Sequence, residues 1–256
     1  MEKFISNIEL RKLLEQATYE ERLSITKVLD NSQDKPFSAE ELQKEICWEG
    51  GHGVVNIFRG EGTGYLDIID DVADELNIKS LPSYHLKVKY FDDNDLLRFD
   101  KEVALQKGIE YAEKAEEKII LKLLEIIYDK LDDDKKLKFD EELNKVAQNY
   151  NTSMTAKLTG ATGLIVLGNL GGFATYTFLT TALSTISMGT LGFGAYTAAT
   201  SLLSIALGPV GWAGLGLVGV FAIGKPSYEK LIPIVAMIGA IRQRIKYENE
   251  HIDKVA

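Results

Sequence analysis

The run Arg59-Gly60-Glu61-Gly62-Thr63-Gly64 has the residue types of a loop that cradles phosphate. Glycines there would let backbone N–H groups close on an anion at a helix start. The pattern stops short of that chemistry, because a Walker loop ends in Gly-Lys-Ser/Thr. Here Tyr65 follows Gly64, and Glu61 would repel an anion. The run instead predicts a tight interhelical turn in which glycines supply positive φ and Arg59 caps or pairs locally. No nucleotide and no other cofactor is expected.

Cys47 lies close to Gly50-Gly51-His52-Gly53, which brings one thiol and one imidazole together in sequence. A Cys–His nucleophile also needs spatial alignment and a third group to orient the base. Zinc would need four ligands, and His85 and His251 stand at no regular spacing from this pair. Asp92-Asp93-Asn94-Asp95 resembles the start of a calcium loop but lacks the central glycine and the closing glutamate. Asp67, Asp70, Asp71, Asp74 and Glu75 fall on the polar side of one amphipathic pattern, where solvation accounts for them. No catalytic or metal-ligating set emerges, so the expected activity is non-enzymatic.

The elements that hold these residues read as helices. Ile8, Leu10, Leu13 and Leu14 mark one apolar face. Thr18 with Glu21, and Ser38 with Glu41, are capping-box patterns that open a second and a third helix. Tyr65, Ile68, Ile69, Val72 and Leu76 recur at three- and four-residue spacing. Residues 79–101 read as an irregular excursion. A long helix is expected over 102–131, with Ile119, Ile120, Leu123, Leu124 and Ile127 as its buried stripe. Asp132-Asp133-Asp134 breaks it and caps another helix that reaches Tyr150.

Charge divides the chain sharply. Residues 158–224 contain no Asp, Glu, Lys, Arg or His, yet hold 14 of the 22 glycines. Residues 1–157 carry 23 Lys+Arg against 34 Asp+Glu. So acidic a body repels phosphates, and nucleic acid is not an expected partner. A lone cysteine excludes an intrachain disulfide framework.

Within the uncharged region, residues 164–186 and 202–223 are each long enough to cross a hydrocarbon core of about 30 Å at about 1.5 Å per residue. Gly168 with Gly172, and Gly208, Pro209, Gly211 and Gly214, supply small residues for close helix packing. Lys157, Lys225, Arg242, Arg244 and Lys246 flank the region, whereas the residues between the two spans carry no charge. That bias predicts a hairpin in a bacterial inner membrane with both termini cytoplasmic. The lipid bilayer is then the expected partner, with protein partners or self-association through the glycine-rich helices.

Gly50-Gly51, Asn56, Arg59-Gly60, Gly62, Tyr65 and Asp71-Val72 resemble the uncharacterised YaaW-like bacterial family, grouped by fold with the ubiquinol–cytochrome c chaperone domain. Gly208-Pro209-Val210-Gly211, Tyr228, Ile232-Pro233 and Arg242 extend the resemblance toward the C-terminus. It implies a helical fold and a glycine-rich C-terminal part, and no reaction.

The expected architecture is all-α. A helix pair over 1–35 precedes an acidic helical domain over 36–157. A glycine-rich membrane hairpin over 158–224 and a short C-terminal amphipathic helix within 225–256 complete it. Two functions suit this plan: an interaction or assembly module anchored by the hairpin, or a triggered membrane-perturbing protein that stores the hairpin against its body.

Overall fold

Both capping boxes form as their spacing predicts. The computed structural model describes residues 2–51, 62–79, 81, 101–151, 157–187 and 228–252. Helix α1 spans Glu2–Glu15, and Thr18 then caps α2, Tyr19–Leu29. The Glu21 N–H donates to Thr18 Oγ1 at 3.2 Å, while the Thr18 N–H donates to the Glu21 carboxylate at 2.8 Å. Ser38 and Glu41 repeat this arrangement at the start of α3, Ala39–Gly50. Each box satisfies two N–H groups that a helix start otherwise leaves without partners.

Helix α4 spans Tyr65–Glu75 and buries Tyr65, Ile68, Ile69 and Val72, the stripe read from the sequence. Helix α5, Lys101–Lys130, buries Ile119, Ile120, Leu123, Leu124 and Ile127. Asp132 then caps α6, Asp133–Tyr150, by accepting from the Lys135 N–H at 2.9 Å. Among the described residues every regular element is a helix.

The expected span over 164–186 does not form. Helix α7, Gly160–Asn169, ends at Leu170, and α8, Gly172–Ser187, begins after Gly171. Gly171 has φ +102°, a left-handed conformation that interrupts a helix and favours glycine. The 16 residues of α8 extend about 24 Å, short of the hydrocarbon thickness. No helix among the described residues is long and apolar enough to cross a membrane. The second expected span, 202–223, lies outside the described residues, as do Gly208, Pro209, Gly211 and Gly214.

Helices α7 and α8 instead join one hydrophobic core with the charged helices. Leu164, Leu167, Phe178 and Leu179 are buried in the same cluster as Leu10, Ile68 and Ile120. Phe178 meets the edge of Phe139 at 4.8 Å between centroids, and Phe139 in turn meets Tyr128 at 5.0 Å. Asn144 fixes the approach to α7, accepting from the Leu158 N–H and donating to its C=O, both at 2.8 Å.

The last helix, α9, spans Tyr228–Ile252 and differs from the short amphipathic helix expected there. Residues 231–241 are buried on every side, Pro233 included, because α9 packs against α2, α3, α4, α5 and α8. A helix apolar all round belongs inside a fold. Helices α5 and α9 are thus the elements around which the others gather.

Candidate functional site

Where α1, α4, α5 and α9 meet, four polar side chains are buried together. Arg242 of α9 donates through Nε to Glu116 Oε2 at 2.7 Å and through Nη2 to Glu116 Oε1 at 3.0 Å. The same guanidinium pairs with both oxygens of Glu9 on α1. Tyr65, the first residue of α4, donates its hydroxyl to Glu116 Oε1 at 2.7 Å. Exposure is 9% for Glu9, 1% for Glu116, 5% for Arg242 and nil for Tyr65, so the cluster is closed to solutes in this arrangement.

Gly239 makes the approach of α9 to α5 close enough for this. A Cβ on Gly239 would lie 2.8 Å from Glu116 Cβ. The guanidinium, one turn further along α9, then reaches the carboxylate in a two-bond fork, the strong form of this pair. Burial works against the charge on Arg242, but Glu116 and Glu9 outweigh it and hold the guanidinium protonated. Burial pushes the Glu116 carboxyl above the usual range, opposed by Arg242. Burial likewise lifts the Tyr65 phenol far above its ordinary value, and the Glu116 charge adds to that.

The other cations of α9 are used in the same way. Arg244 forks onto Glu21 of α2 with both bonds at 2.8 Å, so that capping-box glutamate also anchors α9. Lys246 pairs with Glu113 of α5, and Lys230 with Glu49 of α3. Arg242, Arg244 and Lys246, read from sequence as a basic flank, are therefore each paired with a carboxylate of another helix, Arg242 buried, Arg244 half-buried and Lys246 exposed. A second polar link backs the cluster: Asn7 Oδ1 accepts from the Tyr65 N–H at 3.2 Å and from the Cys47 thiol at 3.4 Å.

Gly62 is a glycine because the chain turns directly against α3. A Cβ there would lie 1.9 Å from the Cys47 carbonyl oxygen, which accepts from the Thr63 N–H at 2.7 Å. Close approach accounts for it, in place of the positive φ expected of that turn; among the described residues only Asn77, Gly160 and Gly171 have positive φ. Gly50 closes α3 against Ile68, and Gly51 follows as the C-cap. Gly168 packs on Leu121 of α5 and Gly172 on Gln243 of α9. They stand on two helices with a turn between them, not on one shared face.

Asp70 is no simple solvated carboxylate, since it accepts from the Tyr111 hydroxyl, and burial raises its carboxyl. Asp71 lies half-buried on the same helix, and Tyr228 opens α9 in a buried position. Asn56, Arg59, Gly60 and His52 lie outside the described residues. So does Asp92-Asp93-Asn94-Asp95. Among the described residues no group of three His, Cys, Asp or Glu side chains could hold a metal.

Sequence reasoning singled out Tyr65 and Arg242 but missed Glu9, Glu116 and Gly239. The signal was a charge in register with an apolar stripe. Glu116 falls between Ala112 and Ile119–Ile120 at helical spacing, and Arg242 follows Ile238 by four.

No family model matches the chain, and no solved structure matches it. Over 217 residues it is 26% identical to a Helicobacter pylori protein described as a UPF0174 protein; the match covers 83% of this chain and 74% of that one. The chain is thus similar to a bacterial protein whose description names no activity.

Proposed function

We propose that the chain is a non-enzymatic helical protein that meets a lipid bilayer with the uncharged residues beyond α8, its charged body serving as an interaction or assembly module. We read it as YaaW-like, with the body in the holding role of a chaperone-like domain on the cytoplasmic side of a bacterial inner membrane. The observation that carries this reading is the absence of any Asp, Glu, Lys, Arg or His over 188–224. Residues 158–187 contribute α7 and α8 to the core, so bilayer contact rests on 188–224. Helix α8 packs on α9 through Phe173 and Tyr247, stacked at 3.8 Å. A segment whose two ends are held in one packed body must leave and return on the same side of a membrane.

Flotation of the full chain with vesicles of phosphatidylethanolamine and phosphatidylglycerol tests this. The chain should rise with the vesicles, and Leu215→Asp with Val218→Asp should leave it at the bottom of the gradient. A chain that stays at the bottom without those substitutions sinks the proposal.

A second reading, release of α8 into lipid on a trigger, is favoured by how that helix treats its hydroxyls. Thr177 donates to the Phe173 C=O at 2.8 Å, and Thr181 to the Thr177 C=O at 2.8 Å. A helix that satisfies its own polar groups suits water and lipid alike. On this reading Phe178→Ala, which loosens α8, should increase dye leakage from vesicles; unchanged leakage rejects it.

A further inference from the structure

The four groups of the buried cluster do not balance. Glu9 and Glu116 bring two negative charges, Arg242 one positive, and Tyr65 a neutral phenol. With all three charged groups ionised, one surplus negative charge sits in a buried site, with Glu116 1% and Glu9 9% exposed. Such a surplus is costly in a medium of low polarity.

The surroundings do not cancel it. Helix α2 presents Glu21, already forked by Arg244, and α3 presents Glu49, paired with Lys230. On α5 itself, Glu113 is taken by Lys246, and Glu117 accepts from Thr175 of α8 at 3.3 Å. Helix α8 adds Tyr176, a phenol that burial keeps neutral. Helix α4 adds Asp70, held by Tyr111, while α7 carries no ionisable residue. Among the described residues no second cation reaches Glu9 or Glu116.

We infer that the Glu9–Arg242–Glu116 cluster is a proton-binding site, which takes up one proton on Glu116 as pH falls from neutral and stabilises the fold by doing so. The geometry names the atom. Glu116 Oε1 accepts from both Tyr65 and Arg242 Nη2, whereas Oε2 accepts from Arg242 Nε alone. A proton placed on Oε2 costs the Arg242 Nε–H its acceptor there, and the two bonds to Oε1 from Tyr65 and Arg242 Nη2 remain. Arg242 retains Glu9, and the cluster passes from one net negative charge to none.

The sign of the effect follows from burial, which holds the Glu116 carboxyl above its ordinary value. A carboxyl raised above its unfolded value, about 4.3, binds its proton more tightly in the folded chain. Stability therefore rises as pH falls through the folded value, and the gain is complete below the unfolded one. Because the cluster joins α1, α4, α5 and α9, proton occupancy sets how firmly the body holds α9.

Thermal unfolding of the full chain between neutral and mildly acidic pH, beside an NMR titration with labelled glutamate carboxyl carbons, tests the inference. The wild-type chain should gain stability on acidification. Glu116→Gln should lose the part of that gain due to this site, and Glu9→Gln should lose it too, because it removes the surplus charge. Glu113→Gln should keep it. The titration should show a glutamate signal above the ordinary range that vanishes in Glu116→Gln. If both Gln variants keep the wild-type pH dependence, or no such signal exists in the wild-type chain, the inference is wrong.

Discussion

Glu9 of α1 and Arg242 of α9 stand 233 positions apart in sequence and form a buried ion pair. Arg242 also holds Glu116, so one guanidinium ties three helices at a buried point. Replacing it with methionine fills much of its volume but leaves two buried carboxylates facing one another. Breaking a buried pair in this way costs about 3–5 kcal/mol. Arg242→Met should therefore lower the urea midpoint of unfolding far more than Glu116→Gln, which leaves the Glu9–Arg242 pair intact. Equal losses for the two variants would mean that the charges contribute nothing beyond their packing.

Gly62 and Cys47 give a second, steric prediction. A methyl group on Gly62 meets backbone atoms of α3, which cannot rotate aside, and it would push apart the Thr63–Cys47 hydrogen bond. Overpacking of this kind costs about 1–3 kcal/mol. At Gly50 the obstruction is the flexible Ile68 side chain, with Cγ1 2.4 Å from the added Cβ. Thermal unfolding should rank Gly62→Ala as the more damaging substitution; the reverse order would contradict the close approach described for this turn.

The parts of the fold legible in the sequence were those governed by local rules. Thr18 with Glu21 and Ser38 with Glu41 announce helix starts because both halves of each capping box lie three residues apart. The stripes of α4 and α5 were legible for the same reason. Residues 164–186 read as one span because an absence of charge is shared by a helix in lipid and a helix in a protein core. Gly171 alone, through its positive φ, turns an expected crossing into two short helices. The cluster is half legible: Tyr65 and Arg242 stand in recognisable motifs, but pairing across 233 residues leaves no local trace.

Phe178 and Ile165 decide whether α7 and α8 belong to a folded body in water. Phe178 is fully buried against Phe139, whereas Ile165 is 67% exposed. Phe178→Ala should cost about 3–5 kcal/mol in detergent-free buffer, the usual range for emptying an aromatic core site. Ile165→Ser should change stability by no more than about 0.5 kcal/mol. Chemical denaturation of both variants measures this. A negligible loss for Phe178→Ala would place α8 outside the cooperative core.

Opposed groups of carboxylates shape the pH profile. Hydrogen bonds from neighbouring groups hold several surface carboxyls below their ordinary values: Asp132 through the Lys135 N–H, Glu41 through the Ser38 N–H, and half-buried Asp30 through Gln33. A lowered carboxyl contributes stability that is present above its unfolded value, about 3.9 for Asp, and lost as pH falls through the folded one. Burial raises Asp70 and Glu117, which act in the opposite sense and add stability as pH falls from neutral. Stability should therefore climb on mild acidification and decline once these lowered carboxylates take protons. Asp70→Asn and Glu117→Gln should each reduce the climb, leaving the share due to Glu116, and keep the acid limb in place. Asp132→Asn, which keeps an N-cap acceptor, should soften the acid limb and leave the climb. Unfolding temperatures measured across pH for the four chains check this, and a wild-type profile that only declines from neutral would refute it.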